Sequence, residues 1–365
     1  MRVGIIGGGI AGLSTAWALT KAGHAVTLFE QSSIPNPQAA SGDQHRIIRQ
    51  GYADQDGYAR LITQAFAAWQ RLWDDLGHRH YKQTGVLCVS QEPGDEADEY
   101  LAGYDRMGTA YERLEPAAAM ARYPFLDADC IRYAAFCPDG GVLFSRRIAV
   151  GLTAWLRQHG AVLHEQHPVL DIDTDNAVIN TADGAHQLDQ LVITAGAWLG
   201  ELLPAYKRHV TSHRTAVVYL SPPQAYAQAW SEAPVFLSAG GTDLDGYILP
   251  PADGTDLKFG AGRFKEPSLA SHARASSHEE GQAIRDAFAP IFRNLDDYTV
   301  RDTRSCVYSF TADERFFAAV EGRAWVISAC SGHGYKFGAA IGEQVARAID
   351  QKNHDGLIRW LEARA

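Results

Sequence analysis

Three glycines and one acid near the start of the chain have the types and spacing to bind a dinucleotide. Gly7, Gly9 and Gly12 fit G-x-G-x-x-G, and Glu30 follows Gly12 by 18 residues, close to the roughly 20 expected for a ribose-binding acid. Gly7 permits a tight turn, Gly9 lets a pyrophosphate approach the backbone, and Gly12 lets a helix pack close to a strand. The motif alone does not separate FAD from a nicotinamide cofactor. In His45-Arg46-Ile47-Ile48-Arg49-Gln50, two arginines flank an apolar pair. The pair suggests partial burial, and a buried arginine needs a partner. Ser331-Gly332-His333-Gly334 is a second glycine-bearing loop. His78-Arg79-His80 has no second ligand pair at useful spacing, so it reads as a solvated turn and no metal is expected.

These residues need elements to hold them. Val3–Ile6 and Val26–Phe29 read as strands, and Leu13–Ala22 reads as a helix closed by Gly23. That is strand, glycine turn, helix, strand, acid, the context that gives the motif meaning. A helix N-terminus there would offer free N–H groups to phosphates. The polar loop 31–44 is long for a connection. Ile62, Phe66, Trp69, Trp73 and Leu76 step by four and three, giving an amphipathic helix. Val86–Val89 reads as a strand, 92–99 as the start of an exposed helix, and Pro138-Asp139-Gly140-Gly141 as a turn. A helix carries Ile148, Leu152 and Trp155, and Ala161–Leu163 is a strand. Asp183-Gly184 predicts a hairpin between Ala177–Thr181 and His186–Leu188. Leu191–Thr194 is a buried strand. Thr215–Leu220, Val235–Leu237, Tyr247–Leu249 and Leu257–Gly260 are strands without helical patterns between them, which implies a mainly antiparallel sheet. Glu280–Phe292 is a helix. The strand Trp325–Ala329 feeds the second glycine loop and the terminal helices. The fold class expected is α/β plus α+β: a Rossmann-like nucleotide domain interleaved with a mainly antiparallel β-sheet substrate domain. Residues 1–80, 141–205 and 318–365 are assigned to the first, and 81–140 and 206–317 to the second.

At 365 residues the chain can bury two large cores. A net charge of -10 disfavours nucleic acid as a partner. No window of 18 uninterrupted apolar residues suggests a membrane span. The apolar start has only Arg2 ahead of it and makes a poor signal peptide. Cys88, Cys130, Cys137, Cys306 and Cys330 are scattered and odd in number, which argues for a reducing compartment, with cytoplasm as the expectation.

Cys306-Val307-Tyr308, Thr311-Ala312-Asp313-Glu314-Arg315-Phe316 and Ser331-Gly332-His333-Gly334-Tyr335-Lys336-Phe337 are together similar to the C-terminal part of monomeric sarcosine oxidase and its relatives, N-methyltryptophan oxidase and pipecolate oxidase. Arg46-Ile47-Ile48-Arg49 and Ala195-Gly196-Ala197-Trp198 resemble the same family, within the wider glycine and D-amino acid oxidase group. The resemblance is weakest between about residues 90 and 185. It implies FAD, linked covalently through a cysteine matching Cys306; composition alone favours a buried strand cysteine there. It places cofactor contacts at Gly7, Gly9, Ile10, Ala11, Gly12, Glu30, Gln31, Ser41, Arg46, Ile47, Ala195, Gly196, Trp198, Cys306, Gly332, His333, Gly334, Tyr335 and Lys336. Lys258 matches the family's oxygen-activating lysine; on its own it reads as a surface lysine on an edge strand. Arg49 and Lys336 match residues that bind a substrate carboxylate, with solvated charge as the plain alternative. Lys336 and the second glycine loop could also place positive potential at the flavin's N1–O2 edge. Tyr247 matches a substrate-site tyrosine, although a lone strand tyrosine is more often core.

Two departures stand out. Gly42 and Gly262 occupy positions where simple sarcosine oxidases carry histidine, and His45 stands where threonine is usual. Removing side chains makes room, so a substrate bulkier than sarcosine is expected. His45 either hydrogen-bonds that substrate or is a loop histidine facing water. The implied activity is flavin-dependent oxidation of a secondary, cyclic or N-alkyl amino acid to an imine, with O2 reduced to H2O2 by a monomer. No general base is assigned. The alternatives are an amino acid dehydrogenase with another electron acceptor, or a non-catalytic flavin-binding redox module.

Overall fold

The computed structural model of the chain describes residues 1–241 and 243–364. At the N-terminus the strand is Arg2–Ile6, the helix Ile10–Lys21 and the second strand Ala25–Phe29. The helix starts directly after Gly9, three residues earlier than periodicity suggested, so its free N–H groups open onto the glycine turn. Gly7 has φ +106°, and a Cβ there would lie 2.4 Å from the Thr194 carbonyl oxygen. A Cβ on Gly12 would lie 1.9 Å from the Gly7 carbonyl oxygen. Both positions therefore demand glycine.

Around this unit runs a six-stranded sheet in the order Phe317–Glu321, Ala324–Ser328, Gln190–Ile193, Arg2–Ile6, Ala25–Phe29, Val162–His164. All its pairs are parallel except the first, a hairpin. The helix Gly338–Gln351 packs on Ile10–Lys21 so closely that a Cβ on Gly342 would sit 2.3 Å from the Ser14 backbone. Gly342→Ala must push the two helices apart. It is expected to destabilise by about 1–3 kcal/mol, read as a lowered urea midpoint with an unchanged slope.

The larger second sheet contains Thr211–Ser221, Val235–Leu237, Gly246–Leu249 and Leu257–Ala261. These match the expected strands to within a few residues. Val86–Ser90, Glu112–Leu114, Tyr133–Cys137 and Glu266–Pro267 extend it. The 12-residue strand Thr299–Phe310, not anticipated, pairs antiparallel along Thr211–Ser221 with Cys306 opposite Thr215. Among the described residues of this sheet, only the pairing of Val235–Leu237 with Val86–Ser90 is parallel. The α/β plus α+β organisation is the one observed.

Gly140-Gly141, expected in a turn, already belong to the strand Gly140–Leu143. It is flanked by Arg46–Arg49 and Tyr81–Gln83 in a small sheet. The helix expected over 280–292 ends at Asp286. The predicted hairpin forms, with Thr181 opposite Gly184. One apolar core lies against the nucleotide sheet around Trp17, Trp69 and Ile341. Another lies behind the large sheet around Trp230, Phe236 and Phe259. No helix among the described residues is long and apolar enough to cross a membrane.

Candidate active site

A cavity of about 410 Å³ joins residues from both ends of the chain. Its wall holds Gly7, Gly9, Ile10, Ala11, Glu30, Gln31, Ser41, Arg46, Ala195, Gly196, Trp198, Gly332, Gly334 and Tyr335. Tyr308, Cys330 and Thr194, which sequence reasoning did not assign to the cofactor, line it too. Glu30 is buried; it accepts hydrogen bonds from Gly8 N at 2.7 Å, Ser32 N at 2.9 Å and Asn36 Nδ2 at 3.1 Å. The Ser41 hydroxyl holds the Ile10 N–H at 3.1 Å. A Cβ added to Gly9 would meet only that hydroxyl, at 3.5 Å. An open glycine at a helix N-terminus beside a buried acid fits the phosphates and ribose of a dinucleotide.

Gly12, Ile47, Cys306, His333 and Lys336 lie outside this wall. Gly12 supports the turn from behind. Ile47 packs in the core of Val86, Tyr100 and Tyr104. The His333 ring stacks on Phe316 at 4.6 Å and bonds the Glu314 carbonyl at 2.9 Å, which turns it away from the cavity. Burial pushes this imidazole down to about 3. Cys306 is buried on its long strand, next to the cavity residues Val307 and Tyr308. Burial raises its thiol to about 11 and Arg46 opposes that shift.

The strand Leu257–Ala261 lies inside the large sheet, between Thr211–Ser221 and Gly246–Leu249. Lys258 is therefore not an edge lysine. Its side chain is 1% exposed, and Nζ donates to Asp43 Oδ2 at 2.9 Å and to the His45 carbonyl at 2.8 Å. Burial lowers the ammonium to about 8, against the pull of Asp43. Asp43, which the sequence did not single out, also accepts from Arg46 Nη1, the Tyr219 hydroxyl and Gln44 N. Burial would raise this carboxyl, but Lys258 and Arg46 hold it well below the usual carboxylate range.

His45 does not face water. Its ring is fully buried and stacks 6.3 Å from Tyr219; among the described residues neither nitrogen has a partner at full hydrogen-bond geometry, the Pro250 backbone being the polar group that faces it. Burial and Lys258 keep it neutral by holding it well below the usual histidine value. Its contact with Lys258 is made through its carbonyl.

Arg49 and Lys336 converge on one aromatic wall. The Arg49 guanidinium lies 5.0 Å from the Tyr52 ring and 4.7 Å from the Tyr100 ring. Among the described residues its buried Nη1 has no hydrogen-bond partner. Lys336 Nζ lies 5.4 Å from the same Tyr52 ring and donates to the His333 carbonyl at 3.1 Å. Burial and then Arg49 lower the Lys336 ammonium well below the usual lysine value. Neither cation forms a salt bridge among the described residues.

The two glycines at histidine positions do not leave two voids. A Cβ on Gly42 would lie 1.8 Å from the Asn36 carbonyl oxygen, so that position is closed by the loop's own backbone. A Cβ on Gly262 would lie 2.0 Å from Asp245 Oδ2. A carboxyl fills the space instead. Asp245 is exposed, yet the protein packed on its carboxyl and then Glu96 push it up to about 7, against the pull of Arg49 and Lys265. Tyr247 covers Gly260 in the same way, with its hydroxyl 2.5 Å from where a Cβ would stand.

A family model described as FAD dependent oxidoreductase matches residues 2–348. The chain is 26% identical over 351 residues to the peroxisomal sarcosine oxidase of Homo sapiens, covering 93% of this chain and 89% of that one. It is 25% identical over 360 residues to the N-methyl-L-tryptophan oxidase of Yersinia pestis (strain Pestoides F), covering 95% and 94%. Among solved structures, the L-proline dehydrogenase from P. horikoshii superposes with a TM-score of 0.83 at 19% identity, covering 100% of this chain and 96% of that one.

Proposed function

Because the chain belongs to the FAD dependent oxidoreductase family and stands with its sarcosine oxidase-like amine oxidases, we propose that it oxidises the C–N bond of a secondary, cyclic or N-alkyl amino acid to an imine, passing the electrons to O2 to give H2O2. The observation that carries this reading is the pair of buried cations, Arg49 and Lys336, held by aromatic rings without a carboxylate partner. A buried guanidinium needs an anion, and a planar carboxylate matches its fork. Arg49 and Lys336 therefore hold the substrate's carboxylate, with Tyr52 and Tyr100 fixing the guanidinium's plane. FAD supplies the two-electron chemistry when bound. Lys258, braced by Asp43 and the His45 carbonyl, holds a positive charge where charge develops during O2 reduction. Tyr247 walls the substrate side, and water hydrolyses the imine unless it is cyclic. A substrate larger than sarcosine stays part of the proposal, although no space is vacated at Gly42 and a carboxyl fills the one at Gly262. The cofactor half is assigned to residues 1–80, 141–205 and 318–365, the substrate half to 81–140 and 206–317, and the protein is taken to act as a cytoplasmic monomer.

The test is a panel of N-methyl and cyclic amino acids mixed anaerobically with flavin-loaded protein. Bleaching of the flavin by at least one, with peroxide released on admitting air, is expected. Bleaching without peroxide would select a dehydrogenase, and no bleaching by any would leave only a non-catalytic flavoprotein. Cys306 is proposed to carry the flavin. After acid denaturation the wild-type polypeptide should stay yellow, Cys306→Ala should release all its flavin, and Cys330→Ala should retain it. A colourless wild-type polypeptide would overturn the link.

A further inference from the structure

The two buried lysines of the site are compensated differently. Lys258 is 1% exposed and meets a carboxylate, Asp43, at 2.9 Å. Lys336 is 5% exposed and meets none among the described residues. Its Nζ has the His333 carbonyl at 3.1 Å and the face of the Tyr52 ring at 5.4 Å. The same ring faces the Arg49 guanidinium at 5.0 Å. One neutral ring thus serves two basic groups, and no anion stands between them.

The groups packed around Lys336 supply no counter-ion. The strand Arg46–Arg49 packs on the short turn Gly334–Phe337 and brings Arg49. The helix Asp56–Leu76 brings the Trp69 indole, which donates to the Lys336 carbonyl at 2.7 Å, and Tyr58, which packs on Tyr52 and His333. Burial keeps both tyrosines protonated. The loop before the turn brings the Cys330 thiol, which burial raises, and the neutral His333 ring. The helix Gly338–Gln351 has no acid in its first turn. Glu96 acts on Arg49, whereas Arg49 and the Cys330 thiol are the groups that act on Lys336. Two adjacent buried positive charges without an anion are costly. A guanidinium cannot give up its proton, but a buried ammonium can. The amine form still donates to the His333 carbonyl, so the turn keeps that bond.

We propose that Lys336 is a neutral amine in the empty site and takes up a proton as a carboxylate binds beside it and Arg49. This rests on reading Arg49 and Lys336 as the carboxylate site. The carboxylate is the anion that the pair lacks, and its charge lets the ammonium form next to Arg49. The proton comes from solvent and goes to the Nζ lone pair; no bond to the carboxylate forms. Carboxylate and proton therefore bind together.

Flavin-loaded protein is titrated with acetate, propanoate and butanoate. Binding is followed by perturbation of the flavin absorption spectrum, and proton uptake by calorimetry in two buffers of different ionisation enthalpy. These acids are already ionised near neutral pH, so a proton taken up goes to the protein. Uptake of about one proton per carboxylate is expected near about pH 8, with affinity falling about tenfold per pH unit as pH rises. Lys336→Met should bind the acid with no uptake and no such pH dependence. So should Lys336→Arg, whose charge is permanent. The flavin spectrum checks that both variants fold. Binding to wild type with less than about half a proton taken up overturns the proposal, whatever the variants do, and leaves the carboxylate site standing. Uptake that persists in either variant overturns it too. If no carboxylate binds to wild type, the carboxylate site at Arg49 and Lys336 is wrong and the proposal falls with it.

Discussion

Replacing Lys258 by Met is expected to slow the reaction of reduced enzyme with O2 by about 10²–10³-fold. Anaerobic reduction by the best substrate should stay within a few-fold of wild type. Met matches the length of the lysine stem and fits a site that is 1% exposed, so the change removes a charge more than it removes packing. Asp43 keeps Arg46, Tyr219 and the Gln44 N–H when Lys258 is gone, so the loop should hold its shape. The pH dependence has a definite sign. Burial brings the ammonium to about 8, so its proton leaves as pH rises through that value. The wild-type rate constant with O2 should fall above about pH 8, and that of Lys258→Met should stay flat. A second sign follows from linkage. Between about pH 8 and the ordinary lysine value the unfolded chain binds more protons than the folded one, so this residue makes stability rise with pH across that window. Stopped-flow mixing of reduced protein with O2 reads the first effect, and denaturation at several pH values reads the second. An unchanged O2 rate in Lys258→Met would remove the oxidase role of this lysine and favour another electron acceptor.

The sequence showed the cofactor half of the site better than the substrate half, for physical reasons. A dinucleotide site is local: Gly7, Gly9 and Gly12 and the strand that ends on Glu30 lie within thirty residues, and each constraint acts on backbone conformation. The strand Thr299–Phe310 stayed hidden because Arg301, Asp302 and Arg304 sit on its exposed half, which breaks the apolar run by which a buried strand is recognised. Asp43 stayed hidden because it sits in a polar loop, and Lys258, its partner, is 215 residues away. Arg46 had already implied a partner; only the fold says which. Gly262 shows how a glycine misleads: its sequence records that a side chain is missing, whereas Asp245 shows what replaced it. His45 was expected to meet substrate or water and is sealed from water instead, because its carbonyl is what Lys258 and Arg46 bind. His333 likewise lies in the right loop with its ring turned into an aromatic cluster.

Asp43→Asn should give the largest loss of stability of any single change at the site, about 3–5 kcal/mol. The carboxyl is 8% exposed and is shared by Lys258 and Arg46, the latter 11% exposed. Asn keeps the shape and the hydrogen bond from Gln44 N but leaves two buried cations with no anion between them. Lys258 can relieve this by giving up its proton; Arg46 cannot, since a guanidinium stays charged. The variant should therefore share the O2 defect of Lys258→Met while adding a folding defect that Lys258→Met lacks. Removing Lys258 as well should recover part of the stability, so the two substitutions should be non-additive, as for groups in one network. The acid side gives a further check. Asp43 is held below its unfolded value, so its contribution is present above the ordinary carboxylate range and is lost as pH falls through the folded value. Wild type should lose stability there more steeply than Asp43→Asn. Denaturant titration of flavin-loaded wild type, both single variants and the double variant measures all of this. A loss under about 1 kcal/mol in Asp43→Asn, or strict additivity with Lys258→Met, would mean that Asp43 does not hold the two cations together.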